Sequence, residues 1–229
     1  MALLLFLNTW LLSRLWFTFR DDPLPRSQTL ILGAVQLLLT GLVTPGYATL
    51  WLGFAVVVSL LLSEGMAPRE RLNEARLTGT FLVLLTALGL YWVAPPTSWL
   101  LTQVQLTALQ PILLGLLGFL LVANETNLAI RALLYRFQME PTTANAPSRT
   151  VDVREYNAGR VIGMLERWLI YLVLVVAQNY NVIALIIAAK GFARFRQLDQ
   201  REFAEYVLIG TLASILFTTL IALMILQLQ

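Results

Sequence analysis

The chain of 229 residues contains no cysteine and no histidine. It therefore offers no thiolate or imidazole for zinc, iron–sulfur or haem ligation, no disulfide, and neither Ser–His–Asp nor Cys–His catalysis. Charge is scarce as well. Asp, Glu, Lys and Arg make up 13% of the chain, against roughly 25% in soluble domains. Lys190 is the only lysine, and the formal net charge is a modest +3, which gives no reason to expect a nucleic-acid partner. What is present is apolar: 58% of residues are hydrophobic and the mean hydropathy is +0.73. This composition argues against a soluble enzyme and for an all-α, polytopic transmembrane helical bundle with no soluble domain.

A helix crossing the bilayer needs about 20 predominantly apolar residues. Ala2 to Phe19 is the first candidate, interrupted only by Asn8, Ser13 and Arg14 and ended by the turn DDPLPR. It lacks a basic start and a small-residue cleavage site, so it does not read as a signal peptide. Thr29 to Ser63 is too long for one span and is expected to fold as two helices around Thr44-Pro45-Gly46-Tyr47. Glu64 to Arg76 reads as a charged loop with a short amphipathic surface turn. Leu77 to Val93 and Trp99 to Ala123 are the next spans, with Trp92 and Trp99 as interfacial aromatics and Pro111 as an expected kink. Asn124 to Phe137 reads as an interfacial amphipathic helix. The last three spans are Gly159 to Gln178, Asn181 to Phe195 and Phe203 to Leu226. The expectation is about eight spans in three regions: an N-terminal membrane region (1–137), a flexible cytoplasmic linker (138–156) and a C-terminal three-helix region (157–229).

The arginines fall in alternate loops: Arg20 and Arg26; Arg69, Arg71 and Arg76; Arg131 to Arg160; Arg196 and Arg201. The intervening turns carry no Lys or Arg. Basic residues favour the cytoplasmic side, so eight spans place all four groups there and both termini on the opposite face of the cell membrane. Merging the second and third spans would put the DDPLPR and APRERLNEAR loops on opposite sides, against that segregation.

Ionisable residues within spans are costly and invite explanation. Glu166 and Arg167 on one helix, Lys190 on the next and Glu205 on the last stand at comparable depth and form a balanced group of four charges. One account is structural, with the charges pairing and registering three helices. Others are a proton or ion relay, a headgroup-binding pocket, or a catalytic carboxylate. Gly159 and Gly163 form a GxxxG that turns Glu166 towards a packed seam, and Gly210 with Ser214 repeats small-residue spacing on the last helix. Arg14 has no acidic neighbour in sequence and is expected to snorkel to its helix end.

The segments GRVIGMLER (Gly159, Ile162, Gly163, Leu165, Glu166, Arg167), AAKGFARF (Ala188, Ala189, Lys190, Arg194, Phe195) and EYVLIGT (Glu205, Tyr206, Leu208, Ile209, Gly210, Thr211) occur in this order in the C-terminal half. Together they resemble an uncharacterised family of multi-pass bacterial and phage membrane proteins, a domain of unknown function. NLAIRALL (Asn127 to Leu134) sits where that family has a comparable stretch. The resemblance implies a multi-pass fold and brings no established biochemistry. That family's opening helix is associated with a His and an Asp, and this chain has no His. Small loops and missing cofactor ligands point to a non-enzymatic membrane subunit without cofactor or metal, whose partners are the bilayer and other membrane chains or further copies. The alternative is a small ion or proton transporter or channel using the Glu/Lys/Arg cluster, with Gln103, Gln105 and Gln110 along one helix as further polar groups. A lipid-active enzyme would need paired carboxylates or an oxygen-rich metal site, and no spacing motif suggests either.

Overall fold

The computed structural model describes residues 1–44, 46–93, 109–137, 153–193, 195 and 201–229. These residues form eight helices in two compact units, Met1–Ala129 and Ile130–Leu228. Five helices are long and apolar enough to cross a membrane: Arg26–Val43, Tyr47–Met66, Arg69–Val93, Gln110–Arg136 and Ala204–Leu228. With its composition, this makes the chain a helical membrane protein.

In the first unit, α1 (Ala2–Arg14) ends in a 3-10 turn, Leu15–Phe17. α2 (Arg26–Val43) starts directly after Pro25, whose fixed φ and missing N–H suit a helix start. It stops at Thr44, at φ −124° and ψ 74°, because a residue preceding proline is pushed out of the α region. Gly46 then takes φ +88°, and α3 (Tyr47–Leu60) begins and runs into a π-helical turn, Leu61–Met66. The two apolar segments are therefore separate helices, each about 27–30 Å long and matched to the bilayer core. α4 (Leu72–Val93) comes after a 3-10 turn at Arg69–Arg71. α5 (Gln110–Arg136), whose residues from Ile130 on belong to the second unit, carries a second π-helical turn, Leu121–Glu125, and is the most enclosed of the long helices, with 67% of its apolar window buried. α1 packs on α2 and α5, and α3 packs on α2 and α4.

Three local expectations change here. APRERLNEAR is not a surface turn throughout, because α4 begins inside it and Arg76 is fully buried. Asn124 to Phe137 continues the preceding span, as expected, but it is not interfacial from its start, since Asn124 to Asn127 are buried. Pro111 sits in the first turn of α5 rather than kinking it from within. Gln103, Gln105 and Trp99 lie outside the described residues.

In the second unit, α6 (Val153–Leu172) continues into a third π-helical turn, Val173–Ala177, and closes on Gln178 in the left-handed conformation. α7 (Asn181–Ala193) and α8 (Arg201–Leu228) complete the unit, and α8 packs along α6. The expected linker falls outside the described residues from 138 to 152, while its last four positions, 153–156, already belong to α6.

The outer faces are apolar. Leu30, Ile31 and Leu38 on α2, Leu50 and Phe54 on α3, Phe81 and Leu85 on α4 and Leu208 and Leu212 on α8 are all more than half exposed. Faces of this kind suit hydrocarbon and not water.

Candidate functional site

A dense polar network lies in the first unit, where two arginine–glutamate pairs meet around one phenylalanine. Arg14, near the end of α1, is 1% exposed and Arg76 on α4 is wholly buried. Arg14 donates from Nε to Glu125 Oε1 at 2.8 Å and from Nη2 to Glu125 Oε2 at 3.2 Å. Its Nη2 also reaches the Arg76 carbonyl at 3.0 Å. Arg76 grips Glu64 in the same side-on manner, Nε to Oε1 at 2.8 Å and Nη2 to Oε2 at 3.1 Å. It donates further to the carbonyls of Arg20 at 2.8 Å and Asp22 at 3.2 Å. The Phe17 ring lies between them, with the Arg14 guanidinium carbon 5.2 Å and the Arg76 guanidinium carbon 4.4 Å from its centroid.

Both glutamates stand in π-helical turns, Glu64 in Leu61–Met66 and Glu125 in Leu121–Glu125. A π-helical turn inserts one residue into the α repeat and rotates the side chains beyond it, a device frequent at functional sites. The carboxylate of Glu125 also accepts Asn124 Nδ2 at 2.9 Å on Oε1 and Thr80 Oγ1 at 2.6 Å on Oε2. Thr18 Oγ1 in turn donates to Asn124 Oδ1 at 3.1 Å. Four donors fill the roughly four lone-pair sites of a carboxylate. Glu64 additionally accepts the Leu24 N–H at 2.8 Å. Two cations and two anions cancel, and each ion is hydrogen-bonded, which is the condition for burying charge.

This network ties the DDPLPR turn to α1, α3, α4 and α5 at one end of the unit, and an exposed ion pair between Arg69 and Asp22 reinforces it there. The two arginine-bearing loops therefore lie together, as separate α2 and α3 require. Further along α1, Asn8 Nδ2 donates to the Leu113 carbonyl at 3.0 Å, and Gln36 Nε2 donates to Ser13 Oγ at 2.9 Å. Arg14 does not snorkel. Its partner lies 111 residues away, beyond the reach of a search among sequence neighbours. A depth argument would have found it: Arg14 stands six residues before Arg20, and Glu125 six before Arg131.

Of the residues singled out in the second unit, Glu166 and Lys190 meet, with Nζ donating to Oε2 at 2.5 Å. Arg167 lies beside Glu166 and is 4% exposed. Glu205 goes elsewhere: Arg201, one turn away on α8, donates Nε to its Oε1 at 2.8 Å in an exposed pair. That contact and the charge of Glu205 hold the Arg201 guanidinium above its ordinary pKa. A local i,i+4 partner is simply nearer than one on another helix. A Cβ added at Gly163 would lie 3.5 Å from Arg167 Nη1, so this glycine makes room for its own helix's side chain. At Gly210 a Cβ would meet nothing within 4 Å, so no close helix approach depends on it. Gly159 lies in α6 and is partly exposed. The close approach is at Gly79 on α4, where a Cβ would lie 3.0 Å from Ser59 Cβ and 3.2 Å from Ser59 Cα on α3.

Among the described residues no group of three or more acidic side chains is placed to hold a metal ion. In comparisons with known proteins, no family model, no curated protein and no solved structure matches this chain.

Proposed function

We propose that the chain is a non-enzymatic integral membrane protein, a structural or assembly subunit of a membrane complex. The observation that carries this reading is the saturated carboxylate of Glu125, whose four hydrogen bonds leave no lone pair for a proton, a metal or a substrate. Chemistry and transport need a group that can exchange partners, and the best-built polar site of the first unit holds its partners fixed. Its role is to lock helices and present a rigid apolar exterior to lipid and to neighbouring chains, whether other subunits or further copies. The segregation of arginines supports a multi-pass placement with the arginine-bearing loops cytoplasmic and both termini outside. On this reading the C-terminal motifs are those of the uncharacterised multi-pass family they resemble.

The test is native mass spectrometry of the protein taken directly from its source membrane. A complex of fixed stoichiometry is the expected result, and a lone monomer overturns the proposal. A transporter or channel is the second reading, favoured by Glu166 and Lys190, which share one hydrogen bond and stay 19% and 18% exposed. It requires a proteoliposome flux that Glu166→Gln abolishes.

A further inference from the structure

Three ion pairs seen among the described residues join one helix to another, and they are of two kinds. Arg14–Glu125 and Arg76–Glu64 have side chains no more than 7% exposed, and their polar atoms are engaged by several further groups. Lys190–Glu166 is held by a single hydrogen bond, with side chains 18% and 19% exposed. Among the described residues, Glu166 Oε1 accepts no hydrogen bond and two Nζ protons of Lys190 have no acceptor. The surface around the pair is apolar: Ile162, Leu165 and Leu169 on α6 and Leu185, Ile187 and Phe192 on α7 are each more than 40% exposed. This open side therefore faces the bilayer and not water. Lys190 stands three residues before the end of α7, about 4.5 Å along the axis. Arg194, Arg196 and Arg201 follow in the sequence, so this end of α7 is the one that meets the headgroups. The pair thus lies within reach of the headgroup layer.

From this we infer that the Lys190–Glu166 pair is a binding site for a zwitterionic phospholipid headgroup carrying a primary amine, that of a phosphatidylethanolamine. The lipid phosphate accepts from the free Nζ protons of Lys190. The ammonium, separated from that phosphate only by an ethylene unit, donates to Glu166 Oε1. Phosphatidylcholine supplies the phosphate but no N–H, and phosphatidylglycerol supplies no cation for Glu166. Both bonds are charge-assisted, and they satisfy polar capacity that hydrocarbon leaves open. The inference rests on the membrane placement of the chain and not on its being a subunit.

The full chain is reconstituted in phosphatidylcholine vesicles containing either phosphatidylethanolamine or phosphatidylglycerol, extracted in mild detergent, and its retained lipid measured by native mass spectrometry. Wild type is expected to retain phosphatidylethanolamine about tenfold over either competitor, the worth of one charge-assisted hydrogen bond. Glu166→Gln removes the preference, Lys190→Gln removes retention, and the exchanged pair Glu166→Lys with Lys190→Glu keeps both. Excess inorganic phosphate leaves the lipid in place. Equal retention of all three lipids, preference for phosphatidylglycerol, displacement by phosphate alone, or a protein bound at the pair in place of lipid overturns the inference. Should the single variants fail to fold, the wild-type melting temperature decides: it rises in vesicles containing phosphatidylethanolamine, and its independence of that lipid refutes the site. Each readout is bound lipid or its effect on one chain, so it is independent of whether a multi-subunit complex is found.

Discussion

At the scale of single residues, two buried arginines are each matched by one glutamate, and their burial makes the match energetically asymmetric. Removing one partner strands a charge, whereas removing both leaves an ordinary apolar contact. Glu125→Gln, which keeps the shape, is expected to destabilise the protein by about 3–5 kcal/mol. Adding Arg14→Met should recover much of that loss, since the amide introduced by Glu125→Gln can accept from Asn124 through its oxygen and donate through its NH2 to the Thr80 hydroxyl, which keeps the Arg76 carbonyl as its own acceptor. The check is the unfolding midpoint in a detergent–SDS titration, and equal midpoints for single and double variants would remove the pair from the account. Phe17→Leu should cost about 2–3 kcal/mol in the same titration, because the ring sits between two desolvated guanidinium groups and a leucine loses both cation–π contacts as well as volume. Sequence alone showed Arg14 as an exception in apolar surroundings, whereas Glu125 fell in a segment read as interfacial and did not stand out. Glu166 and Lys190 were legible as a pair because a short turn makes their helices antiparallel neighbours, and their depths, each counted from the arginine-bearing end of its helix, agree. No short turn makes α1 and α5 neighbours, so nothing in the sequence said which depths to compare.

At the scale of helices, glycine spacing proved a poor guide and backbone approach a better one. GxxxG marks a face on which helices can come close, yet whether they do depends on what packs opposite. A Cβ added at Gly210 meets nothing within 4 Å, while Gly79, whose spacing from Ala75 is less conspicuous than a GxxxG, meets Ser59 of α3. Gly79→Ala is therefore expected to force α3 and α4 apart at a cost of about 1–3 kcal/mol, partly relieved by Ser59→Gly. Gly210→Ala should be neutral or stabilising by up to about 1 kcal/mol, from helix propensity alone. Thermal denaturation of the two variants in the same detergent checks both, and a Gly210→Ala loss exceeding that of Gly79→Ala would reverse the assignment. Helix limits were legible wherever proline or glycine punctuated the chain, as at Pro25 and around Gly46. The π-helical turns were not, since they have no residue signature: two of them hold Glu64 and Glu125, and the third, Val173–Ala177, holds no charged residue.

At the scale of the whole molecule, the distribution of arginine carries an expectation that the helix pairing makes more specific. α2 and α3 form a hairpin whose turn, around Gly46, lies at the far end from the DDPLPR turn and the Arg69–Arg71 turn. The latter two are joined by Arg76, Glu64 and the Arg69–Asp22 pair. Labelling is therefore expected to divide the first unit cleanly. Because the chain has no native cysteine, single cysteines report without background. Glu70→Cys, in the exposed 3-10 turn before α4, should react with a membrane-impermeant maleimide only after the cell is opened. Tyr47→Cys, 48% exposed at the start of α3, should react in intact cells. The physical ground is that translocating several arginines is far costlier than translocating the uncharged turn at residues 44–47. Reversed labelling at both positions would leave the hairpin intact and turn the protein over in the membrane. Labelling of both from the same side would break the hairpin itself, and with it the network that holds the two arginine-bearing loops together.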